Sequence, residues 1–523
     1  MRSLSRAQWF ALAMALVHLG LAWLMRTPGL GWGVDDAAVL LLSRELQSFQ
    51  YTETQDVLAP IHARFPPGFP AMLAVVGSVM GNRLDALLAF VALCSAVSVV
   101  LLFDATRRVM GDEIAVVTTA LYAINPWSLA DAGSLMSEAP FKLFIVLALW
   151  GVSRESEGTR FAVVTGAATV LAALTRTAGV VFIPGLAAYW LWRRRYTWVA
   201  GLALASLPVA AWLAFSFSAP DASDRRLYVV DLRGRQDTFT ETVATRFGRL
   251  IPRLREYLTR YIPTTLAVPA APGTPIDNVA WVASFLVFGV VGTMALLRKW
   301  LLAVVFLVSY ALLLVFWAFA FDRLVRPIAP LLFVLLLSGV WVFAGRFAPR
   351  YRGVAVFGVG ALLALGAIRD TAPALNERLA CDRGAPAESP TCWPVYEREF
   401  LSLANWVRDS TPADALFFVS KERAFYVHSG RKSINQDRGL RENPTTLGGY
   451  LRSRDVSYTV LTPVGVHARS HARLLRSACR EFELVKQVSP RTLLLRVAPE
   501  PSVSDSMAAC VAIRNYSADV SAQ

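Results

Sequence analysis

The sequence predicts a polytopic α-helical membrane protein with a C-terminal α/β domain outside the bilayer. Three observations predict this class. The 523 residues are 55% hydrophobic and only 17% charged, with a mean hydropathy of +0.46, far from the composition of a soluble domain. Apolar stretches close to the ~20 residues needed to cross a bilayer recur through the first two thirds. From about residue 369 charges become frequent, and short strand-like and helix-like runs alternate. The chain therefore divides into a membrane domain, 1–368, and an outer domain, 369–523.

Spans are expected near 9–25, 84–103, 114–130, 136–152, 161–175, 178–192, 197–217, 279–297, 300–321, 327–345 and 354–368, about 11 in all. The first, "WFALAMALVHLGLAWLM", follows Arg2 and Arg6, and no small-residue cleavage site comes after it. It reads as a retained span rather than a signal peptide. With the N-terminus inside, the short inner loops are "RR" at 107–108, "SRESEGTR" at 153–160, "RRR" at 193–195, "RK" at 298–299 and "RFAPRYR" at 346–352. Every one is basic or mixed, as orientation by positive charge requires. The net charge of +14 thus arises largely from orienting arginines and does not imply a nucleic-acid partner.

Three larger pieces lie outside: 26–83, 218–278 and the chain from 369. In the last, "ALFFVS" (415–420), "VSYTVLT" (456–462), "FELVKQV" (482–488) and "TLLLRV" (492–497) read as strands. "EFLSLANWVRDS" (399–410) reads as a helix stopped before Pro412, and "NPTTLGGYLRSR" (443–454) as a helix with an Asn cap and Pro at its first position. Cys94 falls within a span, as a small buried apolar residue would. Cys381, Cys392, Cys479 and Cys510 all fall in the outer domain. Four cysteines allow three pairings; proximity favours Cys381–Cys392 and Cys479–Cys510, which an oxidising compartment permits.

The informative charges break the orientation rule. Arg176 in "LAALTRTAG", Arg323 and Arg326 in "FAFDRLVRPIAPLL", and Arg64 in "PIHARFPPGFP" all stand at the outer mouths of helices. Such groups are costly without anionic partners. A guanidinium matches phosphate through two parallel hydrogen bonds, so a lipid-linked phosphate suits the group. The plainer reading is that each arginine snorkels to lipid head groups and that Asp322 neutralises Arg323 or Arg326.

Acids gather on the same face. Asp35 and Asp36 precede a stretch in which Val39, Leu42, Leu46 and Phe49 form a stripe at helical spacing. That helix is expected along the membrane surface, with Asp35 as its cap in the plainer reading. The second outer loop, "NPWSLADAGSLMSEAPF", carries Asp131 and Glu138. Lys142 lies one turn beyond Glu138 and can pair with it. His62, beside Arg64, reads as a polar loop residue before a metal ligand. The chain holds no HExxH, paired CxxC, Walker loop or GxSxG turn, against metalloprotease, zinc-ribbon, P-loop and α/β-hydrolase readings.

The order of a first span, an acidic pair opening a helix, and "PPGFP" leading into short helices resembles the GT-C glycosyltransferases. The likeness is to the bacterial branch of the protein O-mannosyltransferase family and to the aminoarabinose transferases acting on lipid A. "NPWSLADAGSLMSEAPF", "LAALTRTAGVVFIPG" and "RLVRPIAPLLFVLL" carry it further, over residues 1–350. "ANWVRDSTPADALFFVSKERAFYVHSGRKS" also resembles the outer domain common in bacterial members. The resemblance implies Asp35 as catalytic acid and Asp36 as its companion, where the family often has Glu. It implies Glu138 as the second-loop acid, with Asp131 a further candidate, and Arg64, Arg176, Arg323 and Arg326 as donor-phosphate ligands.

The implied reaction moves a sugar from a polyprenyl-phosphate donor to the hydroxyl of a glycolipid, polysaccharide or protein acceptor. One base and no covalent intermediate imply inversion. No cofactor is required, although a divalent cation bridging Asp36 or Glu138 to the phosphate is conceivable. The implied location is the bacterial cytoplasmic membrane, among membrane lipids, with the site on the periplasmic or extracellular side. By its length, the outer loop 218–278 is expected to fold over the site as a lid once substrate is bound. Two alternatives compete. A flippase for a lipid-linked glycan would also want outer arginines, but would place charges deep within spans. A non-catalytic protein on the same fold would lack any need to retain Asp35.

Overall fold

The computed structural model describes residues 5–31, 35–218, 247–269, 275–317, 320–381, 392–436, 446–465, 468–498 and 503–516. It divides into two compact units, one of residues 1–26 and 62–376, the other of residues 27–61 and 377–523. The first outer loop is thus shared out differently from the division at residue 368: segment 27–61 groups with the C-terminal residues.

In chain order the first unit begins with α1 (Arg6–Leu24), and α2 (Asp36–Leu46) belongs to the second unit. The first unit continues with α3 (Gly68–Met80), α4 (Leu84–Met110), α5 (Asp112–Ile124), α6 (Pro126–Ala132), α7 (Glu138–Ser153) and α8 (Thr159–Thr175). Then come α9 (Phe182–Trp192), α10 (Tyr196–Ala205), α11 (Leu207–Ser218), α12 (Leu250–Glu256), α13 (Ile262–Thr265), α14 (Pro275–Lys299), α15 (Leu301–Phe316), α16 (Ala329–Phe347) and α17 (Arg352–Leu379).

Among the described residues five helical segments are long and apolar enough to cross a membrane: Arg6–Leu24, Leu84–Met110, Asn278–Lys299, Asp322–Phe347 and Pro349–Leu379. A sixth arises if α10 and α11, bent by 43°, form one span. Of four shorter apolar segments, Thr159–Thr175, Thr177–Trp192 and Leu301–Phe316 fall where crossings were expected, whereas Gly68–Met80 falls within the expected first outer loop. The run expected at 114–130 is broken. Asn125 is extended and its side chain accepts from the N–H groups of Trp127 and Ser128, with Pro126 at the first position of α6. Such a cap starts a new helix whatever the hydropathy of the run.

The core of this unit is aromatic. Phe182 lies 4.5 Å from Phe306 and 5.7 Å from Tyr310, ring centre to ring centre, and all three are buried with Phe141 and Phe333. α14 and α16 approach at glycine. A Cβ on Gly339 would stand 1.9 Å from the Phe288 carbonyl oxygen, and one on Gly292 would stand 2.1 Å from that of Leu335. Small residues permit this backbone approach where lipid gives no hydrophobic drive to helix pairing.

The second unit is a five-stranded mixed sheet in the order β2-β1-β3-β5-β4, with β1 (Phe417–Val419), β2 (Ser433–Asn435), β3 (Tyr458–Leu461), β4 (Phe482–Ser489) and β5 (Thr492–Val497). β1 pairs in parallel with β2 and β3, while β3–β5 and β4–β5 are antiparallel. Side-chain alternation divides the core. Phe417, Val419, Val460 and Leu494 join one cluster with Phe400, Val407 and Phe425. Phe418, Leu461, Leu493 and Leu495 join the other with Leu451, Leu475 and Ile513. The helices are α2, α18 (Val395–Ser410), α19 (Glu422–Ser429), α20 (Leu447–Arg452), α21 (Ala468–Ser477) and α22 (Val503–Arg514).

All four expected long strands are present, and β2 is additional. The helix expected from residue 443 is α20, preceded by Thr446; Asn443 and Pro444 lie outside the described residues. Disulfides join Cys381 to Cys392 and Cys479 to Cys510, and Cys94 is buried and free. α2 corrects an expectation. Residues 36–43 are buried on every side, and Phe49, the last member of the predicted stripe, is 98% exposed. Ala37 belongs to the first core cluster, with Phe425 and Leu401. The helix packs as a core element instead of lying on a surface by one face.

Candidate active site

Two groups of the expected residues are positioned separately, one in each unit. In the first unit, the loop between α6 and α7 delivers Glu138 as the first residue of α7, where it is 1% exposed. α8 ends at Arg176, whose extended backbone turns into the short helix Thr177–Val181. Two successive 3-10 turns, Asp322–Leu324 and Arg326–Ile328, lead into α16, with Pro327 stopping the first from propagating. The Tyr310 hydroxyl donates to the Leu324 carbonyl at 2.9 Å and fixes the turn.

Among the described residues, these segments bring together two groups of ion pairs, one on Glu138 and one on Asp131 and Asp322. Glu138 Oε1 receives Arg176 Nη1 at 2.7 Å and also Arg323 Nε. Arg176 donates in addition to Ser137 Oγ at 3.0 Å. Lys142, fully buried, does not pair with Glu138 as its spacing suggested; its ammonium donates to Asp131 Oδ2 at 2.8 Å. Asp131 Oδ1 lies 3.5 Å from Arg326 Nη1, and Arg326 Nη2 pairs with Asp322. The Arg326 guanidinium sits 4.0 Å above the Trp127 ring, whose Nε1 donates to Thr264. So Asp322 neutralises Arg326, while Arg323 is held by Glu138.

Four cations and three carboxylates make up these two groups, leaving one excess positive charge. Buried ion pairs of this kind are tolerable only when nearly every group is paired. Two buried atoms, Glu138 Oε2 and Arg326 Nε, have no hydrogen-bond partner. Glu138, 1% exposed, thus accepts from two guanidiniums through one oxygen.

Arg64 is half-buried, with its guanidinium 5.7 Å from the Phe65 ring. His62 is fully buried and its Nε2 accepts from the Phe65 N–H at 2.8 Å, closing the turn as a loop residue. The "PPGFP" turn abuts the end of α8: a Cβ on Gly68 would stand 2.6 Å from the Leu174 carbonyl oxygen. Arg64 and Arg176 thus flank two segments in direct contact. Most of 218–278 lies outside the described residues; of its remainder, Tyr261 donates to the Ala320 carbonyl at 2.8 Å, beside the arginine turns.

In the second unit the acidic pair divides its labour. Asp35 is half-buried, its backbone is already helical, and its side chain makes no capping hydrogen bond. The capping expectation for Asp35 is therefore wrong. Asp36, 3% exposed, is the residue bound to backbone: Oδ2 accepts from Gly31 N at 2.9 Å and Oδ1 from Ala37 N at 2.8 Å. Asp36, not Asp35, thus accepts the N–H groups of Gly31 and Ala37. Sequence reasoning missed Lys142 as a partner of Asp131 and Trp127 as the platform for Arg326; the Asn-Pro-Trp cap was the available signal. Among the described residues, no three His, Cys, Asp or Glu side chains are gathered as a metal would need.

Residues 64–219 match the family model for dolichyl-phosphate-mannose-protein mannosyltransferases. No curated protein matches the whole sequence significantly. Among solved structures, ArnT from Cupriavidus metallidurans in the apo state is similar at 14% identity and TM-score 0.55, over 95% of this chain and 100% of that one. The same protein bound to undecaprenyl phosphate gives 15% identity and TM-score 0.54, with the same coverage. The Archaeoglobus fulgidus oligosaccharyltransferase in the apo form gives 12% identity and TM-score 0.56, over 92% of this chain and 73% of that one. The fold is thus of the GT-C type shared with ArnT and the archaeal oligosaccharyltransferase, and residues 64–219 bear the sequence signature of the dolichyl-phosphate-mannose-protein mannosyltransferase family.

Proposed function

We propose that this chain is a membrane glycosyltransferase that transfers a sugar from a polyprenyl-phosphate donor to an acceptor hydroxyl. The observation that carries the proposal is the convergence of Arg176, from the end of α8, and Arg323 and Arg326, from the turns before α16, on buried carboxylates within a GT-C fold. Arg64 joins them as a donor-phosphate ligand. As the glycosidic bond breaks, the phosphate leaving group gains charge. Guanidiniums already fixed in place stabilise that charge in the transition state more than in the ground state. Glu138 and Asp131 hold them in register, so no reorganisation is needed during reaction.

Asp35 takes the proton of the acceptor hydroxyl as oxygen attacks the anomeric carbon, an effect of about 10²–10⁴ in rate. Direct displacement gives inversion. Asp36 keeps the loop in shape. Eleven crossings with the N-terminus inside would put both groups on the outer side of the bacterial cytoplasmic membrane. The acceptor is a glycolipid, a polysaccharide or a protein. A divalent cation, were one bound, would be held by Asp36 or Glu138 and would neutralise phosphate charge.

The test is transfer by the purified protein in lipid, with a panel of polyprenyl-phosphate sugars and product anomers read by NMR. Release of free polyprenyl phosphate with a product of inverted configuration supports the proposal. Donor crossing from one leaflet to the other without cleavage would instead establish a flippase.

A further inference from the structure

Segment 27–61 is woven into the C-terminal residues of its own unit. Three contacts hold Leu30 and Gly31, which precede α2. The Leu30 carbonyl oxygen meets His428 Nε2 at 3.1 Å, and the Gly31 carbonyl oxygen meets Lys421 Nζ at 3.4 Å. A Cβ on Gly31 would stand 3.2 Å from that of Ala424. Gly31 has φ +96°, so glycine serves both the conformation and the close approach. Asp36 then ties the Gly31 N–H to the first turn of α2.

The far end of the segment is held too. Glu53 pairs with Arg423 at 3.2 Å, the Ser433 N–H donates to the Gln55 carbonyl, and Asp56 bridges Ser433 at the edge of β2. Lys421, Arg423, Ala424 and His428 all come from α19 or the residue before it. Lys421 itself sits in the left-handed region, φ +49° and ψ +47°, a strained conformation for a side chain with a Cβ. That turn redirects the chain from β1 into α19 and aims the ammonium at Gly31.

We infer that α19 is a clamp for the acidic loop, and that Lys421 and His428 are positioning residues for Asp35. α19 thereby acts on the chemistry by placing Asp35, not by touching substrate. This inference rests on the reading of Asp35 as the base.

Lys421→Met in the full-length protein tests it. Methionine keeps a Cβ at the same φ and removes only the ammonium. The clamp predicts that kcat falls about ten- to a hundred-fold, as small misplacements of a reacting group do, while donor KM and melting temperature stay at wild-type values. Lys421→Arg restores most of kcat, and His428→Phe behaves as Lys421→Met does. Hydrogen exchange of peptides covering residues 35–46 rises in the Met variant. Wild-type kcat with unchanged exchange overturns the inference. So does a joint loss of kcat, donor affinity and melting temperature that arginine does not restore. If the wild-type protein transfers no sugar, the functional reading fails separately, and exchange alone decides: faster exchange over 35–46 supports the clamp, and unchanged exchange refutes it.

Discussion

Glu138→Gln separates an orienting carboxylate from a catalytic one. The substitution preserves shape and deletes the charge that Arg176 and Arg323 share through Oε1. A common acceptor holds the two guanidiniums within about 5 Å, so their repulsion is about 3 kcal/mol at an effective dielectric of about 20. In the wild type the carboxylate offsets this. In the variant the excess charge doubles, and the acceptor that the two guanidiniums share becomes neutral. Removing one partner of a buried pair costs about 3–5 kcal/mol, which the arginines relieve by moving apart. A displaced transition-state donor typically costs about 10²–10³ in kcat. The assay is steady-state transfer over a range of pH. The orienting role predicts a kcat about a hundred-fold lower, a lower melting temperature, and a pH-rate profile of wild-type shape. Should Glu138→Gln abolish the limb on which activity rises with pH, while Asp35→Asn retains it, the roles given to these two acids are reversed.

Other expectations follow from the same geometry. Lys142→Met leaves buried Asp131 with only the longer Arg326 contact at 3.5 Å and should lower stability by up to about 3–5 kcal/mol; chemical unfolding measures this, and Lys142→Met with Asp131→Asn should recover most of the loss. Arg326→Ala should raise the dissociation constant for donor at least ten-fold more than that for acceptor, by titration of each alone; equal losses contradict the phosphate role. In the C-terminal unit, burial depresses the His471 imidazole to about 3, where it meets Gln436 and Thr459. The unfolded chain takes up this proton below its ordinary value near 6.5 and the folded chain does so only near 3. Stability is therefore present in full above about 6.5 and declines as pH falls towards 3, by at most about 5 kcal/mol. Melting of this unit from pH 7 to 4 should show that slope, and His471→Gln should flatten it.

Much of this fold was legible because the signals were local. Hydropathy located the long spans, β-branched and aromatic runs located β1, β3, β4 and β5, and cysteine proximity located both disulfides. The break at Asn125–Pro126 was misread because hydropathy continues across a cap that backbone hydrogen bonding does not. Short β2 escaped because "SIN" is held by its neighbours β1 and Asp56, not by its own composition. α2 looked amphipathic on a wheel, yet its surroundings bury all sides of residues 36–43.

At the site, residue types were readable and partners were not. Arg176, Arg323, Glu138 and Asp131 were each noticed as charges at helix mouths. Their pairing depends on how segments up to 195 residues apart meet. The spacing of Glu138 and Lys142 favoured a local pair, but Lys142 reaches back across the α6–α7 loop to Asp131. Likewise a lone Asp before a helix suggests a cap, yet Asp35 makes no capping hydrogen bond and Asp36 accepts from the Gly31 and Ala37 N–H groups.

The central claim is that Asp35 deprotonates the acceptor while arginines hold the donor phosphate. Single-turnover transfer by Asp35→Asn, beside direct donor binding, tests it most directly. The account predicts donor affinity within about two-fold of wild type and a chemical step slower by about 10²–10⁴. An Asp35→Asn protein that transfers sugar at the wild-type rate contradicts it.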